Sequence, residues 1–424
     1  MSNRWVTLTI VPQLGGRLMQ VRFGDHDYLW VNERLKGQYF PPAVSAAQRT
    51  WFNYGGDKIW PMPEGNDDEQ HWAGAVGSVL DGGEYSFEVL SQGETCAVRM
   101  VSPPDPQVGL TYTREIAIGA DSPEIRFNAI MTNVTGHPLR WSAQSVSQYD
   151  VTDPKNPAEL NRDFWGFTPA NPQSAYLNGY HVRTGSASNA AYRVRDGLFT
   201  LHYGERSGGE PGGAEQGGEV WIDSPDEWVA VLDGGTGYAM IERFHYDRTA
   251  EYPGKATVIF YSTGIPRTPR TTPPADAPPR PPIYYVEAEI NSPMILLAPG
   301  ERYGLRTEWY PTRLGRTLET ATYAGAVGEP LTASATPQGL SLAGEFGVFF
   351  AGQLVTHFYD RQGLRIGSAP VAGVTPLQPV RLAATVQAPA QTARVSLHLI
   401  DPRGVDRGPL GEVMVIPLAS PRPR

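Results

Sequence analysis

The chain has 424 residues, of which 40% are hydrophobic and 19% are charged, and its formal net charge is -9. This length predicts more than one domain, and the composition is typical of globular proteins and excludes a disordered chain. A negative chain without a long Lys/Arg cluster argues against nucleic acid as a partner. No apolar run reaches the roughly 18 residues of a membrane span. Cys96 is the single cysteine, so an internal disulfide is excluded.

Turn-forming residues are frequent, with 46 Gly and 39 Pro, and they accompany a 10% aromatic content. This combination predicts an all-β protein with many turns. Alternation with a period of two predicts successive strands, for example over Tyr85–Leu90, Cys96–Val101 and Leu110–Ile116. A strand pattern already begins at Trp5, so no signal peptide is visible. The compartment stays open: cytoplasmic as written, periplasmic or secreted if a signal peptide has been removed.

Two segments break the strand pattern. Gly204–Gly218 is rich in Gly and Glu and is predicted to be a mobile loop, whereas Ile265–Pro282 is so rich in proline that we expect an extended segment. From about residue 320 the chain carries short alternating runs that predict a small Ig-like β-sandwich. We therefore predict two domains, residues 1–318 and 319–424, and a structural or docking role for the second.

The stretch Trp51–Glu64 is dense in aromatic residues around a Gly55-Gly56 pair. Consecutive glycines permit positive φ and close backbone approach. Rings that stack on C–H faces, next to charges that bind hydroxyls, suit a sugar. The alternative is a tight loop whose rings cover one end of the core. The candidate substrate-binding residues of this stretch are Asn53, Tyr54, Asp57, Lys58 and Trp60.

The stretch Tyr284–Ile290 is predicted to be a strand, followed by a Pro-Gly turn within Leu296–Glu301. Since side chains alternate along a strand, Glu287 and Glu289 share a face with Tyr285 and lie about 7 Å apart. Two carboxylates on one face disfavour each other's ionisation, which raises the apparent pKa of the pair and suits a general base or acid. The alternative is a solvated strand face with two ordinary glutamates.

Five short motifs follow one another along the chain: Pro12–Arg17, Thr132–Pro138, Glu287–Ile290, Leu297–Tyr303 and Thr307–Tyr310. Their order and spacing resemble those of the galactose mutarotase (aldose 1-epimerase) family, and the Gly55–Pro61 stretch looks more like an uncharacterised branch of mutarotase-like proteins. The resemblance spans roughly residues 4–315. It implies a large antiparallel β-supersandwich whose concave face holds a sugar, followed here by the small C-terminal β-sandwich.

Individual residues follow from this resemblance. Glu287 matches the general base that takes the anomeric proton. Lys58 falls where the family has a substrate-contacting arginine, and Asp57 where it has the neighbouring asparagine. Gln144 falls where the catalytic histidine is expected, and glutamine is not a proton donor in acid catalysis. His71 lies near the position of a second active-site histidine, without the usual His-Gly context.

The acid is therefore replaced or lost. Candidates are His71, His181 and Tyr149, each of which is alternatively a hydrogen-bonded loop residue, and Glu289 stands beside the base. Gln144 and Gln148 lie on the polar face of the strand Leu139–Tyr149 and are candidate substrate-binding residues.

Two functions remain open from the sequence. The first is an enzyme that acts on a mono- or oligosaccharide, such as an epimerase. The second is a non-catalytic carbohydrate-binding protein that uses the same concave face. We expect no cofactor, because nucleotide-binding glycine motifs are missing. We also expect no metal site, because the eight histidines form no His-x-His pair and Asp67–Glu69 is interpreted as a solvated loop.

Overall fold

The computed structural model describes residues 1–65, 71–186, 189–204, 218–263 and 283–416. Strands dominate this part of the chain, and the pairings between neighbouring strands are antiparallel. The predicted all-β fold is confirmed. The predictions for Asp67–Glu69, for most of Gly204–Gly218 and for Ile265–Pro282 lie outside the described residues.

The strands of the first half of the chain are two to twelve residues long. They are β1 (Val6–Val11), β2 (Arg17–Phe23), β3 (His26–Asp27), β4 (Asp57–Met62), β5 (Ser86–Ser91), β6 (Thr95–Val101), β7 (Leu110–Gly119), β8 (Ile125–Asn133), β9 (Leu139–Asp150), β10 (Thr152–Asp153), β11 (Asn156–Leu160), β12 (Phe164–Pro169), β13 (His181–Thr184), β14 (Tyr192–Arg195) and β15 (Leu198–His202). Two short helices accompany them, α1 (Pro42–Gln48) and α2 (Val79–Gly82).

The strands of the second half span the same range of lengths, from two to twelve residues. They are β16 (Gly218–Ile222), β17 (Trp228–Asp233), β18 (Tyr238–Phe244), β19 (Val258–Ser262), β20 (Tyr285–Asn291), β21 (Ile295–Leu297), β22 (Arg302–Arg313), β23 (Thr320–Ala321), β24 (Gly325–Thr336), β25 (Gly339–Val348), β26 (Gly352–Tyr359), β27 (Arg365–Val374), β28 (Val380–Val386), β29 (Arg394–Ile400) and β30 (Asp406–Met414), with one 3₁₀ turn at Pro253–Lys255. Within the described residues, no helix is long and apolar enough to span a bilayer.

Two ten-stranded sheets form the larger part of the fold. The first has the order β1-β2-β4-β9-β20-β19-β16-β13, with β3 paired to β2 and β21 paired to β9 as its other two strands. The second has the order β14-β15-β12-β17-β18-β22-β8-β7-β6-β5. Buried polar side chains connect them: Arg114 of the second sheet pairs with Asp57 of the first, and the Tyr112 hydroxyl donates to the Trp60 carbonyl at 3.2 Å. The two sheets therefore pack face to face as a large antiparallel sandwich.

The motifs quoted from the sequence occupy turns with defined contacts. Gly300 of the Pro-Gly turn donates its N–H to the carbonyl of Asn133, 3.0 Å away. Gly55 and Gly56 both have positive φ, at 91° and 74°. A Cβ on Gly55 would lie 2.1 Å from the Trp30 carbonyl oxygen, so only glycine fits there. The two glycines therefore allow the chain to pass close to the Trp30 backbone immediately before β4 begins.

The chain divides into two compact units. The first comprises residues 1–120, 125–231 and 242–309, and the second comprises 121–124, 232–241 and 310–424. The second unit contains two four-stranded antiparallel sheets, β23-β24-β25-β28 and β27-β26-β29-β30, which form the small C-terminal β-sandwich. The predicted boundary at residue 318 stays a prediction.

One buried carboxyl group in the sandwich core gives a testable pH dependence of stability. Burial raises the pKa of Glu242 to about 8, and Tyr149 donates a hydrogen bond to it. Because the folded-state pKa exceeds the ordinary value of 4.5, the native state keeps this proton while the unfolded chain loses it. The stabilisation is complete below pH 4.5 and is lost as the pH rises to about 8.

We expect Glu242→Gln to remove this dependence. The free energy of unfolding of the wild type should fall relative to that of the variant by about 2–4 kcal/mol between pH 5 and pH 8, since one pKa unit corresponds to about 1.4 kcal/mol. Urea unfolding at several pH values measures this difference. Glu251→Gln, at an exposed carboxylate paired with Arg140, should keep the wild-type pH dependence. Parallel curves for Glu242→Gln and the wild type would contradict the assignment.

Candidate active site

A cleft of about 410 Å³ opens on the first large sheet. Its walls combine aromatic rings and carboxyl groups, with small residues along one edge. The lining residues are Trp51, Trp60, Met62, Glu64, Ala73, Gly74, Ala75, Val76, Gln144, Glu219, Tyr261, Tyr285, Glu287 and Glu289. A volume of this size is in the range of small-molecule sites.

Strand register assembles the floor of the cleft. Glu287 on β20 lies opposite Tyr261 on β19 and opposite Gln148 on β9, and Tyr261 in turn lies opposite Glu219 on β16. Directly paired residues of antiparallel strands point to the same face. One row of side chains, contributed by four strands, therefore runs across the sheet. The next row on this face carries Glu289.

Glu287 is held as the partner of a buried cation. Its Oε1 lies 3.1 Å from the Lys58 ammonium and accepts a hydrogen bond from the Gln148 amide at 2.8 Å. Lys58 has no exposed surface, and its ammonium also lies 4.5 Å from the centroid of the Trp60 ring. Burial lowers the pKa of Lys58, and the Glu287 carboxylate opposes that shift. The Glu287 carboxylate is therefore held against a cation beneath the cleft.

Glu289 lies in an environment that favours the protonated form of its carboxyl group. Burial raises its pKa well above the ordinary value of 4.5, and the negative charge of Glu287 raises it further. The Gln144 amide donates to its Oε2 at 2.6 Å. Glu287 faces a cation, whereas burial raises the pKa of Glu289. Two carboxyl groups in such different environments are the pattern of a base and an acid.

Two more carboxyl groups border the same space. Burial raises the pKa of Glu64, and the charge of Glu219 adds to this shift. Burial likewise raises the pKa of Glu219, although a hydrogen bond from Trp221 and the charge of Arg183 oppose it. The cleft therefore presents several carboxyl groups of unusually low acidity.

The aromatic wall is fixed by a single carboxylate behind it. Asp81 accepts hydrogen bonds from the indole N–H of Trp51 at 2.9 Å and of Trp60 at 3.0 Å. Arg17, which is fully buried, pairs with Asp81 at 2.7 Å. The two indole rings lie 5.6 Å apart, edge to face. Both rings are thereby oriented before any ligand arrives.

Most of the residues predicted for the site converge on this cleft. Glu287, Glu289, Trp60 and Gln144 line it. A second layer supports them. It consists of Lys58 and Gln148, which bind Glu287, and Asn53, whose amide lies 3.3 Å from the Tyr285 hydroxyl.

Three predicted site residues lie elsewhere. Asp57 lies on the face of β4 opposite to that of Lys58, because adjacent residues of a strand point to opposite faces. There it pairs with Arg114 and has no exposed surface. The Tyr54 hydroxyl accepts the Phe40 N–H at 2.8 Å, and its ring is buried. His71 is half-buried beside Gly65. None of the three lines the cleft.

The other two acid candidates have packing roles. Tyr149 is buried and bonds to Glu242 in the core. His181 is exposed at the start of β13, where its ring stacks on Tyr176 at 5.8 Å. Neither is a lining residue of the cleft.

Several lining residues were not indicated by any sequence pattern, among them Glu64, Glu219 and Tyr261. Glu219 and Tyr261 belong to stretches that were predicted as strands. Their membership in the site depends on which strand pairs with which, and strand order is not a local property of the sequence. Tyr285, by contrast, was placed on the Glu287 face by alternation alone, and that placement agrees with the lining of the cleft.

Several solved structures are similar to this chain at low sequence identity. A TPR-domain containing protein from Parabacteroides distasonis has a TM-score of 0.47 and 14% identity, over 73% of this chain but 46% of that one. A galactose mutarotase-like protein from Clostridium acetobutylicum has a TM-score of 0.45 and 9% identity, over 74% of this chain and 94% of that one. A putative aldose 1-epimerase from Escherichia coli has a TM-score of 0.39 and 12% identity, over 74% of this chain and 98% of that one. The structure is similar to galactose mutarotase-like proteins.

At such identities and TM-scores, no residue role and no activity is transferred from these structures. The chain spans about half the length of the Parabacteroides protein. No family model matches the chain, and no curated protein matches it in sequence.

Proposed function

We propose that the cleft binds a sugar and that Glu287 and Glu289 interconvert its anomers as a base and an acid. The observation that carries this proposal is the pair itself: two carboxyl groups lie on one face of β20, one paired with Lys58 and the other with a pKa raised by burial. Two carboxyl groups in different environments at the foot of a ring-lined cleft suit acid–base chemistry.

The base step falls to Glu287. Its carboxylate takes the proton of the anomeric hydroxyl, and the electrons of that O–H bond form the carbonyl of the open-chain sugar. Lys58 and Gln148 both contact Oε1 of Glu287. Oε2 is therefore the oxygen that we assign to the substrate.

The acid step falls to Glu289, which gives its proton to the ring oxygen as the bond between that oxygen and the anomeric carbon breaks. The open-chain aldehyde rotates, and the reverse steps close the ring with the other configuration and return both protons. Glu289 in this way replaces the histidine that the mutarotase resemblance led us to expect at Gln144. Gln144 keeps a positioning role through its hydrogen bond to Glu289.

The pH dependence of the rate tests this assignment. Because burial raises the pKa of Glu289 well above 4.5, we expect kcat/KM of the wild type to fall on the alkaline side as that proton is lost. Glu289→Gln carries no titrating proton, so its residual rate should lack the alkaline limb. Polarimetry of freshly dissolved α-glucose and α-galactose across a pH series measures both. An alkaline limb that survives in Glu289→Gln would assign the acid to another residue.

A second candidate function is sugar binding without catalysis. The observation that favours it is Gln144, an amide where the resemblance places the catalytic acid. In that case the wild type does not accelerate mutarotation, while saccharides still quench the fluorescence of Trp51 and Trp60. A wild type with neither acceleration nor quenching overturns the sugar proposal altogether.

A further inference from the structure

The C-terminal unit contains a cluster of two histidines and an aspartate on three adjacent strands. His357 lies on β26, His398 on β29 and Asp406 at the start of β30, and these strands are neighbours in the order β26-β29-β30. His398 is registered opposite Val355, two residues from His357. The two histidines are therefore diagonal neighbours on one face of the sheet.

The side chains of this cluster are already close. The imidazole centroids lie 4.2 Å apart, and Nδ1 of His398 lies 2.9 Å from a carboxylate oxygen of Asp406. One ligand atom from each of the three residues can be chosen so that all lie within 4.8 Å of one another. A tetrahedral ion with bonds of about 2.0–2.1 Å needs donors about 3.3 Å apart. The three donor atoms must therefore move closer together to bind such an ion, and Asp406 is the exposed member of the cluster.

We propose that His357, His398 and Asp406 form a binding site for a divalent first-row transition metal ion, with Zn²⁺ as the representative species. Imidazole nitrogen and carboxylate oxygen are ordinary Zn²⁺ ligands, and three protein ligands leave a position for water. The ligand set disfavours Ca²⁺ and Mg²⁺, which prefer oxygen.

The expected consequence is structural. The ion joins β26 and β29 to β30, which is the terminal strand of its sheet. An ion that binds the folded state and not the unfolded chain raises the melting temperature of that unit. Asp406 has a second task here, because the charge of Arg365 acts on His357 and opposes a cation. The carboxylate supplies the compensating negative charge.

Zn²⁺ and Co²⁺ titrations of the full-length, chelator-treated protein test this site. We expect one equivalent of Zn²⁺ to bind by calorimetry and to raise Tm, and Co²⁺ to give the visible absorption of a nitrogen- and oxygen-ligated ion. His357→Asn and His398→Asn should each weaken binding at least about tenfold, because even residues that only orient a ligand contribute about 10–100-fold. Asp406→Asn should weaken it as well.

The matched control is His137→Asn, which removes an exposed histidine in the turn between β8 and β9. It should bind Zn²⁺ as the wild type does. Far-ultraviolet circular dichroism establishes that each variant is folded, and Asp406→Asn serves if a histidine variant is not. Binding that is absent from the wild type, or unchanged in the folded His357→Asn and Asp406→Asn variants, overturns the proposal.

Discussion

Glu287→Gln is expected to slow anomer interconversion by about 10²- to 10⁴-fold, the usual contribution of a positioned general acid or base. The amide keeps the shape of the side chain but cannot accept the anomeric proton. The loss should appear mainly in kcat, since a neutral isostere still fills the cleft. Polarimetry of α-glucose and α-galactose measures the rate, and tryptophan quenching by the same sugars measures binding.

The control for this experiment is Glu251→Gln, an exposed glutamate that pairs with Arg140 and lies outside the cleft lining. It should retain the wild-type rate. Because Glu287→Gln also leaves the buried Lys58 without its counter-charge, Lys58→Met/Glu287→Gln separates chemistry from folding: it should be equally inactive yet more stable than Glu287→Gln alone. Full activity in Glu287→Gln would refute the base assignment.

The largest stability effect is expected at the pair between the two large sheets. Asp57→Asn should lower the free energy of unfolding by about 3–5 kcal/mol, because it leaves the buried Arg114 guanidinium without its counter-charge. Arg114 has 2% side-chain exposure and also donates to the Gly16 carbonyl at 2.8 Å, so it cannot turn to solvent without breaking that contact. Urea unfolding followed by tryptophan fluorescence gives the difference.

An exposed pair supplies the comparison. Asp27 and Arg22 lie 2.7 Å apart with 41% and 59% side-chain exposure, so Asp27→Asn should change stability by less than about 1 kcal/mol. Equal losses in the two variants would contradict the buried-pair assignment. Sugar binding by folded Asp57→Asn should match the wild type, since Asp57 faces away from the cleft. A loss of sugar binding by folded Asp57→Asn would instead show that Asp57 contributes to the binding site.

Local periodicity predicted part of this site and could not predict the rest. Alternation along one strand is sufficient to place Tyr285, Glu287 and Glu289 on one face. The same alternation places the neighbouring residues Asp57 and Lys58 on opposite faces of β4. Both had been predicted to bind the substrate because both are charged residues of the same motif. The pairing of His357 with His398 lay beyond any sequence spacing, since it arises from the register of two strands about forty residues apart.

The fold class was predictable for a comparable reason. Frequent Gly and Pro with alternating strands specify an all-β chain, whereas sheet order depends on pairings between distant segments. Glu219 lies in the site because β16 follows β19 in the order β9-β20-β19-β16. No pattern within its own strand predicts this position.

Asp81 limits what the cleft can recognise. Both indole N–H groups donate to Asp81. Trp51 and Trp60 can therefore contact a ligand through their rings but cannot donate a hydrogen bond to it. Hydrogen bonding to a ligand is left to the carboxyl groups and tyrosine hydroxyls of the lining, which can donate as well as accept. A ligand with an apolar face and several hydroxyl groups is therefore expected to bind better than a purely apolar one.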